Sequence, residues 1–189
     1  MNMGQGHSLS RSDFVTVRHL SAERAGGFNR GIVLVRCRRN DKHYIEKRIG
    51  LREIRSGHAA REARAMTLCR HPHIVEAYFA DLTTQRGRDY GSIYMAHCEL
   101  GSLDSMIARF DARHARLPEG FIWKVFFDMA TALCYLQTGM KSSRAAMEGH
   151  PINERRSGWD KILHRDIKPA NIFLTSKYQD TQYLSLIHI

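Results

Sequence analysis

The chain has 189 residues, 43% of them hydrophobic, and 29 Lys/Arg against 19 Asp/Glu give it a formal charge of +10. That length suits one ordinary domain or two small lobes with a buried core, and no segment reaches the roughly 20 apolar residues of a membrane span. The charge is uneven: residues 1–70 hold fifteen Lys/Arg against six Asp/Glu, and the rest is close to neutral. A basic surface attracts nucleic acid, anionic membrane or acidic substrates. No basic helix interleaved with aromatics accompanies the charge here, so a solvated face is the favoured reading, with no specific nucleic-acid or membrane partner expected. Cys37, Cys69, Cys98 and Cys134 are widely spaced with no C-x-x-C pair, and His71-Pro72-His73 lacks the companion ligands of a zinc site. Reduced thiols and a polar start without a secretory core place the expected location in the cytoplasm or nucleus.

Along the chain, a disordered start is expected over residues 1–13, then a strand from Phe14 to Leu20. Gly26-Gly27-Phe28-Asn29-Arg30-Gly31 reads as a turn before a β-branched strand, Ile32 to Cys37. Asn40-Asp41-Lys42 makes a hairpin turn into a third strand, His43 to Ile49. Ala59, Ala63, Met66 and Cys69 recur at helical spacing and predict a helix over about 56–69 that stops before Pro72. Strands near Val75–Leu82 and Gly91–Ala96 complete a small antiparallel sheet. Glu99 to Ser102 reads as a linker and Leu103 to Phe110 as a short helix. Pro118 then opens a strong helix to about Leu136, with Pro at its first position. Phe121, Ile122, Trp123, Val125, Phe126, Phe127, Met129, Ala132, Leu133 and Leu136 surround most of its circumference, which predicts burial on all sides. A polar stretch between Gln137 and Lys161 reads as an inserted loop, and about 140–158 is expected to be mobile and dispensable for ligand binding.

The run Leu163-His164-Arg165-Asp166-Ile167-Lys168-Pro169-Ala170-Asn171-Ile172-Phe173-Leu174 sets a carboxylate, an ammonium and an amide at fixed offsets before an apolar strand. In-line phosphoryl transfer uses such groups: a carboxylate to orient and deprotonate a hydroxyl, an ammonium to neutralise charge, an amide to hold magnesium. The run matches H-R-D-x-x-x-x-N, the catalytic loop of eukaryotic protein kinases, at every fixed position, and residues 14–178 resemble that family. Lys168, two residues after the Asp, resembles the serine/threonine branch. Cys98-Glu99-Leu100-Gly101-Ser102-Leu103 after Tyr94-Met95, with Ile167 to Leu174, resembles the NIMA-related kinases. The 26–31 phrase and the insertion before His164 look like fungal members.

The resemblance implies an α+β, protein-kinase-like two-lobed fold: a small antiparallel sheet lobe over 14–98 and the first part of a helical lobe over 99–189, with the insertion at about 139–160. It implies ATP and magnesium as cofactors and a protein substrate, with Asp166 and Lys168 catalytic and Asn171 a metal ligand. Lys47, on the third strand, would contact the nucleotide phosphates and be held by Glu62, which shares the inward face of the helix; Glu53 is the weaker partner. Gly26, Gly27 and Gly31 would cover the nucleotide. Met95 takes the gatekeeper position, Ala96, His97 and Cys98 the hinge, and Phe173 the floor under adenine. Arg165 resembles the arginine that pairs with a phosphorylated activation segment, and His164 reads as a core packing residue.

Two departures weigh against a straightforward enzyme: the glycines do not have G-x-G-x-x-G spacing, and Ile45 replaces the small residue two positions before the Lys. No Asp-Phe-Gly follows Asn171, so the kinase domain is expected to be incomplete here. The alternative is a pseudokinase or scaffold that binds nucleotide or partners without catalysis; a basic nucleic-acid binder rests on charge alone. The chain as written is expected to lack useful activity, because the second metal ligand is missing, and a completed version to have it.

Overall fold

The computed structural model describes residues 9–21, 29–84, 88–140, 155–176 and 184–187, with Asn29 and the last stretch described by backbone alone. It divides into two compact units, residues 1–67 with 76–97 and residues 68–75 with 98–189.

In the first unit, β1 (Phe14–Ser21), β2 (Asn29–Cys37), β3 (His43–Gly50), β4 (Ala77–Asp81) and β5 (Tyr90–Ala96) form one antiparallel sheet in the order β1-β2-β3-β5-β4. Successive strand residues alternate between faces. Val35 pairs with Tyr44, Val33 with Glu46 and Glu46 with Tyr94, so these side chains share the outer face. There Val33, Val35, Cys37, Tyr44 and Tyr94 form an apolar cluster with Leu9, Phe14 and Phe79 packed on it. The Phe14 ring stacks on Tyr94 at 4.2 Å and meets Tyr44 edge-on at 5.5 Å.

The N-terminal segment departs from expectation. Residues 9–13, predicted as part of a disordered start, are ordered: Leu9 packs on this cluster, and Arg11–Asp13 form a 3-10 turn. The Ser10 N–H donates to Asp13 at 2.7 Å, and the Arg39 guanidinium donates to the same carboxylate at 2.7 Å. Those contacts, the Ser10 backbone N–H first, hold the Asp13 carboxyl below its ordinary range.

The helix expected over 56–69 is α2 (His58–Leu68), and a short helix that was not expected, α1 (Leu51–Arg55), precedes it. Gly57 breaks them apart at φ +75°, a conformation glycine adopts without a Cβ penalty. Glu53 turns into the protein and accepts from His58 Nδ1 at 3.1 Å. Ala59, Ala63 and Met66 are buried, the stripe that the 3.6-residue period predicted.

In the second unit, α4 (Glu119–Thr138) is the central helix, and α3 (Leu103–Asp111) precedes it. Pro118 caps α4 rather than opening it. Val125, Met129, Ala132, Tyr135 and Leu136 build a core with Cys69, Ile74, Leu103, Trp159 and Ile172. Gly139 ends the helix at φ +71°, donating its N–H to the Tyr135 carbonyl at 2.7 Å. Beyond it, Trp159 Nε1 donates to the Leu136 carbonyl at 3.0 Å, and so does the Ile162 N–H, which ties the return path to α4. Burial on all sides fails: Trp123 and Phe126 are each 66% exposed, and Ile122 and Phe127 lie on the surface with them. The expected linker contributes β6 (Gly101–Ser102), which pairs with β7 (Ile172–Thr175); β7 pairs in turn with β8 (Leu184–Ile187). The insertion expected at 139–160 falls largely on residues 141–154, outside the described residues. Among the described residues, no helix is long and apolar enough to cross a membrane.

Candidate active site

Lys47 lies on the face of β3 opposite Glu46. Lys47 Nζ meets Glu62 Oε1 of α2 at 2.5 Å, with the side chains only 13% and 26% exposed. Partial burial makes this pair stronger than a solvated one and penalises either charge left alone. Glu53 is occupied by His58, so the two acidic candidates separate cleanly.

In the second unit the loop from His164 to Asn171 is built locally. Arg165 takes φ +66°, a conformation costly for a residue with a Cβ. The Asp166 N–H donates to His164 Nδ1 at 3.2 Å, so His164 supports the loop backbone; half-buried, it is not the core residue expected. The Pro169–Asn171 3-10 turn follows, closed by the Asn171 N–H donating to the Lys168 carbonyl at 2.9 Å. The turn brings Asn171 Nδ2 to the Asp166 carbonyl at 2.8 Å and to Asp166 Oδ2 at 2.9 Å, while Lys168 Nζ stands 2.8 Å from Oδ2. The Lys168 ammonium first, then the Asn171 amide, hold the exposed Asp166 carboxyl below its ordinary range, so it is ionised at neutral pH. An ionised carboxylate beside an ammonium and an amide can orient a hydroxyl and take its proton.

Among the other expected site residues, Gly26 and Gly27 fall outside the described residues. Gly31 sits in β2 at φ +115°, where the β2–β3 register shifts between Asn29 and Ile32. A bulge there requires glycine on its own account. In the first unit the Ala96 N–H donates to the Glu76 carbonyl at 2.9 Å. In the second, Cys98 is buried and its carbonyl accepts the Gly101 N–H at 3.2 Å. Phe173 lies half-buried on β7, paired with Ser102 and Leu186. Among the described residues, no group of three His, Cys, Asp or Glu could hold a metal ion. Asn171 gives its amide N–H to Asp166, which leaves the amide oxygen as the atom it could offer a magnesium ion; magnesium keeps water and substrate phosphate oxygens in its remaining positions.

No family model matches the chain. Curated proteins do. It is 31% identical over 117 residues to the Serine/threonine-protein kinase Nek2 of Mus musculus, covering 62% of this chain and 22% of that protein. It is 33% identical over 119 residues to the MAP kinase kinase skh1/pek1 of Schizosaccharomyces pombe, covering 63% and 26%. It is 30% identical over 118 residues to the G2-specific protein kinase nim-1 of Neurospora crassa, covering 60% and 14%. The chain is similar to serine/threonine protein kinases, NIMA-related ones among them. The five-stranded antiparallel sheet with its accompanying helices is consistent with the small lobe of such kinases. The chain spans about a quarter or less of the length of these kinase relatives.

Two polar clusters escaped sequence reasoning. Glu46, buried beside Lys47 in sequence but on the other face of β3, accepts from Arg11 at 3.1 Å, Arg48 at 3.1 Å, Ser92 at 2.7 Å and Tyr94 at 3.2 Å. Glu99 accepts from Thr175 at 2.8 Å and from both the N–H and the hydroxyl of Ser176, at 2.7 and 2.6 Å. The one available signal was a Glu at a strand position that alternation turns toward the apolar face.

Proposed function

We propose that this chain carries the phosphate-anchoring and hydroxyl-orienting parts of an ATP- and magnesium-dependent protein serine/threonine kinase. The observation that carries the reading is the Asp166–Lys168–Asn171 arrangement, an ionised carboxylate held by two neighbours of the types phosphoryl transfer uses. Bound ATP supplies the phosphoryl group, with ADP as the leaving product. Asp166 orients the serine or threonine hydroxyl of a protein substrate and accepts its proton. Lys168 offsets negative charge beside it, and the Asn171 amide oxygen ligates magnesium. Lys47, held by Glu62, anchors the phosphates. Gly26, Gly27, Gly31, Ala96, Cys98 and Phe173 complete the nucleotide contacts. Transfer is proposed for the whole protein, since relatives of this class are several times longer, and its place is the cytoplasm or nucleus.

One observation favours the alternative of a nucleotide-binding pseudokinase. Ile45 pairs in register with the buried Met95, setting two large side chains where a kinase of this class carries a small one. The experiment is Mg·ATP binding by calorimetry to the parent chain, Lys47→Met and Asp166→Asn. Weakening of about tenfold or more for Lys47→Met, with near-parent binding for Asp166→Asn, supports the assignment. Equal binding by the parent and Lys47→Met removes Lys47 from the site.

A further inference from the structure

The outer face of the first unit's sheet gathers more cationic groups than it neutralises. The guanidinium carbons of Arg11 and Arg48 each lie 4.9 Å from the centroid of the Tyr90 ring, and that of Arg88 lies 6.0 Å away. Two carboxylates answer three guanidiniums. Glu46 takes Arg11 and Arg48, and Asp81 takes Arg88 at 3.0 Å. The accounting leaves two donors over. Arg11 Nη1 and Arg88 Nε are buried, and neither has an acceptor among the described residues. The Tyr90 ring offers its π system to cations, but a ring accepts no N–H bond as strong as a carboxylate's and does not satisfy three guanidiniums. Buried donors without acceptors are rare in native proteins and mark a bound water, an ion or a functional site.

We infer that this face binds a small tetrahedral oxyanion, phosphate or sulfate, held by Arg11 and Arg88 over Tyr90 with Arg48 adding charge. The net single positive charge of the cluster asks for one anion. Guanidiniums present forked N–H pairs that match tetrahedral oxygens better than a halide. Both donors are buried, so the anion enters by rotation of Arg88, a long and flexible side chain. The site lies on the face of β3 opposite Lys47, because Arg48 and Lys47 are adjacent residues of one strand. It is therefore separate from the proposed nucleotide contacts and does not rest on them.

The test titrates inorganic phosphate and sulfate into the full 189-residue chain by calorimetry and thermal unfolding, with sodium chloride at matched ionic strength as control. Saturable binding and a rise in Tm are expected for both oxyanions and not for chloride. Arg11→Gln and Arg88→Gln should each weaken phosphate binding by about tenfold, the loss of one charge-assisted contact. Arg88→Lys keeps the charge and loses the fork. With an unchanged near-UV circular dichroism spectrum, it should weaken binding by a similar factor, which separates the site from a folding defect. Undiminished binding in the folded Arg88→Lys protein, or equal stabilisation by chloride, would overturn the proposal.

Discussion

Replacing Glu62 by Gln removes the charge that faces Lys47 while keeping the shape of the side chain. At 2.5 Å the two charges attract by roughly 7 kcal/mol in an effective dielectric near 20. Desolvation of two largely covered groups offsets most of that, and the net worth of such a charge-assisted contact is about 2 kcal/mol. A loss of that size lowers Tm by about 4–8 °C for a protein of this length. A double-mutant cycle isolates the pair: Glu62→Gln, Lys47→Met and the double variant, each followed by thermal unfolding and by Mg·ATP affinity. Glu62→Gln alone should weaken ATP binding, because Lys47 loses the group that orients it. In the Lys47→Met background the same change should have little further effect on affinity, and the stability coupling should be about 2 kcal/mol. Additive losses in both measurements would refute the idea that Glu62 acts through Lys47.

Other substitutions probe the second unit. Gly139→Ala should cost about 2–5 kcal/mol in chemical denaturation, since a left-handed Ala costs about 1–2 kcal/mol and overpacking about 1–3; its Cβ would stand 2.5 Å from Trp159 Cδ2. Burial alone would raise the Glu99 carboxyl, but hydrogen bonds from Ser176 and Thr175 outweigh it and bring the group from its ordinary 4.5 down to about 2. A depressed carboxyl contributes stability above pH 4.5 and loses it as the pH falls toward 2, so Glu99→Gln should flatten the stability profile across that window. Trp123→Ser with Phe126→Ser should reduce self-association in light scattering while moving stability by less than about 0.5 kcal/mol per site, because both side chains are already in solvent.

What the sequence disclosed follows the range of the interactions involved. The catalytic loop was readable because its geometry is made by residues two to five apart: the Asp166–Lys168 and Asp166–Asn171 contacts never leave the motif. Glu62 was readable because helical period puts it beside Ala59, Ala63 and Met66, and one strand supplies its partner. Residues 9–13 were not readable, because their partners Arg39, Glu46 and Tyr90 lie far along the chain, and a short polar segment resembles a disordered one until those partners are known. Helix α1 was hidden for a different reason, since Leu51–Arg55 carries too few turns for a periodic signal. On α4, a count of apolar residues was mistaken for burial. Periodicity locates a helix but does not say what packs against each side, and Trp123 and Phe126 meet solvent. Gly31 looked like part of a turn and proved to sit at a strand bulge, a feature that depends on register with β3.

The central claim is that Asp166 acts on a substrate hydroxyl. Its most direct test is phosphoryl transfer from γ-labelled ATP to a generic serine- and threonine-containing protein, by the longest natural protein carrying this chain and by its Asp166→Asn variant, with magnesium present. The unmutated protein should transfer phosphate. The variant should lose about 10²–10⁴-fold in rate, the usual worth of a positioned general base, with Mg·ATP affinity within about twofold of the parent. Equal rates for the two proteins, or no transfer by an unmutated protein that binds Mg·ATP, would contradict it.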